Sequence, residues 1–174
     1  MKRFWIILII VGIAYIAMSA FYYYTKPSIG DIAPNFSLKS VEGNTYTLDE
    51  FKGSPVLLHF FATWCGYCGE EFKTLVSMYK SLKGKGLIVL AVSEDGEDME
   101  DVLRTFIKDR NIDFPVLMDI DGKVADIYHS AGLPESIFIS PDGIIVQRVS
   151  GAMNWMTDDA KRGMDSFLSN KGDK

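Results

Sequence analysis

The two cysteines of this 174-residue chain lie three positions apart, at the junction between a strand-like segment and a helix-like segment. Residues 55–61 form a nearly continuous apolar run, which is typical of a buried central strand. A WCGYC motif follows at 64–68, and apolar side chains then recur at helical spacing as far as position 82. The motif therefore predicts a strand–turn–helix unit of an α/β fold, with a reversible dithiol/disulfide centre at the turn.

The position of each cysteine predicts its part in that chemistry. At a helix N-terminus, unpaired backbone N–H groups and the positive end of the helix dipole favour a thiolate, so we expect Cys65 to be the nucleophile. Cys68 lies one turn further into the helix, where it is expected to be shielded from solvent. It is the candidate resolving thiol, which attacks the mixed disulfide that Cys65 forms with a partner.

A CxxC motif has three other common interpretations. A closed four-ligand zinc site needs further Cys or His ligands, and the chain offers only His59 and His129. Haem attachment needs a histidine directly after the second cysteine, where Gly69 stands. A structural disulfide would more often join distant segments, because closing so small a loop removes little entropy from the unfolded chain. No metal ligand is therefore assigned.

Strand-like and helix-like segments alternate along the rest of the chain. The predicted strands are 36–38, 46–48, 55–61, 86–93, 116–118, 136–140 and 144–149, and the predicted helices are 66–82, 99–110, 124–128 and 155–168. The first two strands form a hairpin, and the alternation that follows indicates a largely parallel sheet, completed by a second hairpin and a closing helix.

The N-terminal segment is uncharged between Arg3 and Lys26. Residues 4–24 are long enough, at 1.5 Å per residue, to cross a bilayer core of about 30 Å. Basic residues before the run and a tyrosine cluster at 22–24 predict a transmembrane anchor with the folded domain on the extracytoplasmic side, the periplasmic face of a cytoplasmic or inner membrane. A signal peptide cleaved near 17–19 is the alternative. The predicted organisation is an anchor over 1–25, a tether over 26–31 and one domain over 32–174.

Charge and cysteine usage narrow the possible partners. The chain has 18 Lys and Arg against 23 Asp and Glu, a formal net charge of −5, and it shows no basic stripe that could neutralise phosphates. Nucleic acid is therefore not an expected partner. A chain with no spare thiols suits an oxidising compartment, which agrees with an extracytoplasmic location.

These features resemble one family. A strand, a WCxxC motif at the head of a helix and a later GLPESIFI segment (132–139) before a Pro-Asp-Gly hairpin are similar to the thioredoxin superfamily. The segments 29–36 and 46–48 resemble the N-terminal extension of its membrane-anchored TlpA-like and ResA-like thiol-disulfide oxidoreductases. The resemblance implies a thioredoxin-like fold, a central mixed sheet flanked by helices, with an N-terminal β-hairpin extension after the transmembrane helix.

The resemblance also implies roles for single residues. Cys65 attacks, Cys68 resolves, and the two form the redox-active disulfide. Pro134 is the cis-proline opposite them, Leu133 offers its backbone to a substrate strand, and Trp64 adds a contact surface. If the resemblance is set aside, the sequence around Pro134 is consistent with an ordinary turn proline.

Glu71 matches the acidic residue that related reductases keep beside the active site, and it is a candidate proton acceptor for the second thiol. The competing interpretation is a solvated carboxylate on the helix surface, as for its neighbour Glu70. The sequence departs from the family at Gly66-Tyr67, between the cysteines, and at His59, which replaces a polar amide residue in the buried strand. His59 is expected to be a hydrogen-bonded core residue.

The leading functional hypothesis is an extracytoplasmic thiol-disulfide reductase without an organic cofactor. A membrane thiol donor would keep it reduced, and exported disulfide-containing proteins would be its clients, with apocytochrome c implied by the resemblance. One alternative is a copper-binding Sco-like chaperone that uses Cys65, Cys68 and His129. Another is a peroxiredoxin-like peroxidase, because the segment 33–36 is shared with that branch.

Overall fold

A seven-stranded sheet of mixed direction forms the centre of the molecule, in the order β2-β1-β5-β4-β3-β6-β7. The computed structural model describes residues 2–24, 27–130 and 132–169; the side chains of 2–3 and 20–24, and with them the predicted aromatic cluster at 22–24, lie outside the described part. The strands are β1 (Ser37–Ser40), β2 (Thr45–Thr47), β3 (Val56–Phe61), β4 (Ile88–Ser93), β5 (Val116–Met118), β6 (Glu135–Ile139) and β7 (Ile145–Ser150). The helices are α1 (Lys2–Tyr24), α2 (Gly66–Leu82), α3 (Glu100–Arg110), α4 (Lys123–Tyr128) and α5 (Asp158–Ser169).

Strand pairing follows from the alternation of elements. The three strands β3, β4 and β5 are parallel, as connections through helices require, and β6 and β7 extend the sheet as an antiparallel hairpin. β1 and β2 form the predicted N-terminal hairpin, and β1 pairs antiparallel with β5 at the other edge. The predicted mixed sheet flanked by helices and its hairpin extension are confirmed.

The core lies in two layers, one on each face of the sheet. All six residues of β3 are buried, which explains why the strand is apolar except at His59. One layer packs α2 and α3 against the sheet and contains both cysteines. The other layer packs α4 and the N-terminal segment against the opposite face. The CxxC motif follows β3 directly and therefore lies at the edge of the sheet where the parallel strands end.

The segment before β1 runs along the outer edge of β7. The amide of Gly30 donates to the Ile145 carbonyl at 2.8 Å, and the amide of Ala33 donates to the Gly143 carbonyl at 2.8 Å. Further back, the Arg148 guanidinium donates to the Pro27 carbonyl at 2.8 Å. Residues 30–33 are thus hydrogen-bonded antiparallel to residues 143–145 at the start of β7, and the Pro27 carbonyl is bound by a β7 side chain.

α1 comprises 23 residues, and its described side chains are almost entirely exposed. Within the described residues, none of the helices combines the length and the apolar character that crossing a membrane requires. The predicted transmembrane helix is therefore not supported by the structure.

The last helix begins later than predicted, at Asp158 rather than at Trp155. Trp155 precedes the helix with its ring fully buried, and its backbone amide donates to the Thr74 hydroxyl on α2 at 3.3 Å. The helix start is set by Thr157, whose hydroxyl accepts from the Ala160 amide at 3.3 Å in the manner of an N-cap. The prediction extended the helix because an apolar tryptophan continues its spacing.

Candidate active site

Cys65 and Cys68 are joined in a disulfide at the start of α2, with their Cα atoms 5.3 Å apart. Cys65 is the N-cap residue of the helix, and its sulfur accepts a hydrogen bond from the Cys68 amide at 3.2 Å. The Cys65 residue is 8% exposed and Cys68 is 0% exposed. Cys65 is thus the one residue of the pair with any solvent exposure, and this is the asymmetry that the proposed nucleophile and resolving thiol require.

Asp95 holds the loop that leads into the motif. This buried carboxylate follows β4 and accepts hydrogen bonds from the Thr63 amide at 3.0 and 3.1 Å and from the Thr63 hydroxyl at 2.7 Å. The Ser93 hydroxyl also donates to it, at 2.5 Å. These bonds tie the end of β4 to the turn two residues before Cys65 and so fix where the first sulfur lies.

An open groove of about 420 Å³ lies beside the first sulfur. Its lining consists of Trp64, Cys65, Gly66, Tyr67, Glu94, Ser130, Gly132 and Leu133. Trp64 and Tyr67 are 67% and 77% exposed, so two aromatic rings stand beside the sulfur in solvent. The predicted contact residues Trp64 and Leu133 thus meet Cys65 in one groove.

The peptide bond between Leu133 and Pro134 is cis, as the family resemblance implies. Pro134 leads directly into β6, and its carbonyl accepts from the Gly151 amide at 2.8 Å. No backbone hydrogen bond joins Leu133 to any other residue that the structure describes. Its main chain is therefore free to pair with an extended segment lying in the groove.

Glu71 is buried, at 4% exposure, and it is not the solvated helix carboxylate that was the competing interpretation. Its Oε1 accepts from the Trp155 indole N–H at 2.7 Å, whereas its Oε2 is buried with no hydrogen-bond partner among the described residues. Burial raises the pKa of Glu71 to about 7, although the Trp155 hydrogen bond acts in the opposite direction. The carboxyl thus exchanges protons near neutral pH, one helical turn beyond Cys68, which is consistent with its predicted role.

His59 lies fully buried on β3, edge-on to Phe72 with ring centroids 5.3 Å apart. Its Nδ1 is hydrogen-bonded to the Ser136 hydroxyl at 2.9 Å, as expected for a core histidine. Burial lowers the pKa of His59 to about 3, so the ring is neutral at physiological pH.

A cation lies close to the residue that follows the second cysteine. The Arg110 guanidinium lies 3.8 Å from the centroid of the Phe106 ring, and its Nε donates to the Gly69 carbonyl at 3.4 Å. A Cβ at position 69 would lie 3.1 Å from the Arg110 Nη2. Gly69 therefore leaves room for this guanidinium against the first turns of α2.

Sequence reasoning missed Glu94 and Asp95, which both follow β4. Polar side chains at the carboxyl ends of parallel strands meet at one edge of a sheet, and this rule could have placed both beside the CxxC motif. The Ser130 hydroxyl donates to Glu94 Oε1 at 3.0 Å. Burial raises the pKa of Glu94, and the charges of Asp119 and other carboxylates raise it further.

The copper-binding alternative finds no support in the arrangement of ligands. Over the residues described, no three His, Cys, Asp or Glu side chains come together in a way that could hold a metal ion. His129 ends α4, where it adopts a left-handed backbone conformation, while the two cysteines are bonded to each other.

Solved structures share this architecture. A Chlorobium tepidum protein assigned as thiol:disulfide interchange protein DsbE has a TM-score of 0.75 at 28% sequence identity, covering 82% of this chain and 99% of that one. StoA from Bacillus subtilis has a TM-score of 0.64 at 25% identity, covering 78% and 97% of the two chains. The fold is thioredoxin-like, and with the CxxC centre it defines a thiol-disulfide oxidoreductase.

Sequence comparisons give the family. Residues 29–148 match the AhpC/TSA family, and the chain belongs to it. Thiol-disulfide oxidoreductase ResA of Oceanobacillus iheyensis is 38% identical over 129 residues, which cover 72% of this chain and 66% of that protein. ResA of Bacillus subtilis is 36% identical over 126 residues, covering 72% and 69%. The thioredoxin-like protein YneN of Bacillus subtilis is 30% identical over 163 residues, covering 91% and 95%.

Proposed function

We propose that this oxidoreductase reduces disulfides of exported proteins on the extracytoplasmic side of the cytoplasmic membrane, and that apocytochrome c before haem attachment is a client. The observation that carries the proposal is the asymmetry of the two cysteines. Cys65 lies in an open groove at a helix N-terminus, and Cys68 lies behind it without exposure. Such a pair is suited to exchange with a large partner that enters from one side.

In the reducing direction, the Cys65 thiolate attacks one sulfur of the client disulfide. The client S–S bond breaks, a mixed disulfide forms, and the other client sulfur leaves as a thiolate that takes up a proton. The Cys68 thiol then loses its proton and attacks the Cys65 sulfur. The second client thiol is released, the enzyme is left with the Cys65–Cys68 disulfide, and two electrons have passed to the client.

The proton of the Cys68 thiol needs an acceptor, because its surroundings are closed to solvent. Glu71 is one turn further along the same helix, and its pKa of about 7 lets its carboxylate take a proton near neutral pH. The role of proton acceptor for the second thiol is therefore proposed for Glu71, with the Trp155 indole fixing the carboxylate through one oxygen.

Binding of the client would use the main chain of Leu133. A client segment that pairs there as an added strand would bring its disulfide to Cys65, in the groove that Trp64 and Tyr67 also line. After each turnover the Cys65–Cys68 disulfide must be reduced again. A membrane protein with its own dithiol is proposed as the electron donor.

The location rests on the sequence. The uncharged run at 4–24, preceded by Lys2 and Arg3, supports targeting to the membrane with the domain exported and the run holding it at the bilayer. Labelling of Cys65 in intact, reduced cells by a membrane-impermeant maleimide tests this placement. Labelling that requires broken cells would contradict it.

Trapping of partners tests the reaction itself. Cys68→Ser leaves the mixed disulfide unresolved, so client proteins should remain covalently attached to Cys65 and be released by dithiothreitol. Cys65→Ser is the matched control and should trap nothing. Recovery of exported proteins without cytochrome c precursors would overturn the proposed client, and the proposed reductase activity would stand. Absence of any Cys65-dependent adduct would overturn the reductase.

A further inference from the structure

The groove beside Cys65 has one carboxylate in its lining. Of the eight described residues that line it, Glu94 alone has a carboxyl side chain. The others contribute two exposed aromatic rings, a hydroxyl and main chain. Within the lining, Glu94 is therefore the side chain that can form an ion pair with a cation entering the groove.

Glu94 is held in place without a cation. The Ser130 hydroxyl donates to its Oε1 at 3.0 Å across the groove wall, and both residues are half-buried. No Lys or Arg of the described chain forms an ion pair with Glu94. The carboxylate is thus positioned, partly removed from water and left without a positive partner.

The surroundings of Glu94 add negative charge. Besides its burial, the charges of Asp119, Glu135 and Asp126 disfavour ionisation of Glu94. Arg148 offsets the charge of Glu135, whereas Asp119 accepts from the amides of Val124 and Ala125 and forms no ion pair among the described residues. A cation entering from outside would therefore meet a negative potential with Glu94 at its accessible end.

We propose that the groove binds a lysine or arginine side chain that lies next to the disulfide cysteine of the client, with Glu94 as the partner of that cation. This inference rests on the proposed reductase function. It states which client segments the groove prefers, namely those with a basic residue next to the disulfide cysteine. The exposed faces of Trp64 and Tyr67 suit the same occupant, since aromatic rings attract ammonium and guanidinium groups. Glu94 acts on client choice, and the exchange chemistry stays with the two cysteines.

The test uses three cyclic peptides closed by the same disulfide, with Lys, Gln or Glu next to one cysteine. The pre-reduced protein is mixed with each peptide, and a single turnover is followed by chromatography of the reduced peptide. At low salt the Lys peptide should be reduced about five-fold faster than the Gln peptide, with the Glu peptide slowest. High salt should shrink the differences. Rates with dithiothreitol correct for intrinsic reactivity.

Three variants test whether the preference for the Lys peptide depends on Glu94. Glu94→Gln should remove the preference for Lys, and Glu94→Asp should retain it, which guards against a mere folding defect. Glu42→Gln makes the same charge change in the exposed β1–β2 turn at the far edge of the sheet and should behave as the unaltered protein. Equal rates for the three peptides, or a Lys preference that survives in Glu94→Gln, would overturn the inference while the reductase stands. Failure to reduce any peptide or insulin would overturn the proposed function itself.

Discussion

The indole N–H of Trp155 donates to Glu71 Oε1 at 2.7 Å, joining two buried side chains that are 84 residues apart in the chain. The bond fixes one oxygen of a carboxyl whose other oxygen has no partner among the described residues. It links the loop before α5 to the helix that carries the cysteines. The protonation state of the Glu71 carboxyl, one helical turn beyond Cys68, therefore depends on Trp155, which is far from the CxxC motif in sequence.

Stability should fall as pH rises through neutrality because of Glu71. Its pKa is raised from an ordinary 4.5 to about 7, so the fold binds the proton more tightly than the unfolded chain does. The stabilisation is complete below 4.5 and is lost as pH rises through about 7. Between about pH 4 and pH 8, oxidised Glu71→Gln should gain on the order of 2 kcal/mol relative to the unaltered protein. Urea unfolding across that range measures it.

Glu70→Gln is the matched control for this prediction. Glu70 is the neighbouring exposed carboxylate, and its pKa is lowered by its hydrogen bond to Lys73. Its substitution should therefore not reproduce the trend. An unchanged pH dependence in Glu71→Gln would show that another group causes it.

Trp155→Phe should raise the pKa of Glu71 above about 7. The indole N–H stabilises the ionised carboxylate, and the variant removes this stabilisation. The variant also leaves a buried acceptor unsatisfied, which should cost about 1–3 kcal/mol of stability. Infrared or NMR titration of the carboxyl gives the first quantity and thermal unfolding the second. Trp64→Phe, on an exposed ring beside the motif, should change neither.

Asp95→Asn should loosen the turn that precedes Cys65. The amide retains one acceptor oxygen and presents an N–H₂ group toward the Thr63 and Ser93 donors, so the expected loss is about 1–3 kcal/mol. Hydrogen exchange of the Thr63 amide should accelerate. Asp98→Asn, on an exposed carboxylate of the same loop, serves as the control. Protection of Thr63 that is equal in both variants would refute the bracing role of Asp95.

Arg148→Met should strongly destabilise the protein, by about 3–5 kcal/mol, because it leaves the Glu135 carboxylate buried without its partner. Adding Glu135→Leu should recover part of that loss, since the unpaired charge is then removed. Arg104→Met breaks an exposed pair with Glu100 and should cost no more than about 0.5 kcal/mol. Denaturant unfolding of these three variants and the unaltered protein distinguishes the energetics of a buried ion pair from those of a surface pair, and a recovery of zero on adding Glu135→Leu would contradict this account.

Local sequence patterns predicted most of the fold, because the start, end and burial of most strands and helices depend on residues within the same segment. The apolar run of β3 reflects burial on both faces, and a Thr-Asp-Asp sequence marks the true start of α5 at 157–159. The error over Trp155 arose because its burial is decided by α2, which is distant in sequence. The positions of Cys65 and Cys68 needed only the strand–turn–helix unit.

The parts of the site that escaped prediction depend on contacts between distant elements. The Glu71–Trp155 pair joins residues 84 positions apart, a separation that carries no periodic signal. Glu94 meets Ser130 only because β4 ends beside the loop before Pro134. Knowing the order of the strands supplies these contacts, whereas composition and spacing do not.

The antiparallel course of residues 30–33 along the start of β7 determines where the chain enters the domain. β7 runs from Ile145 toward Ser150, and Ser150 pairs with Glu135 next to Pro134. The segment runs the opposite way, so Pro27, held by Arg148, lies toward the end of the molecule that carries the groove. A surface, probe or fusion partner attached before Pro27 is therefore attached on the side of the domain that carries the groove. The length of that attachment sets how closely a large client can approach the groove.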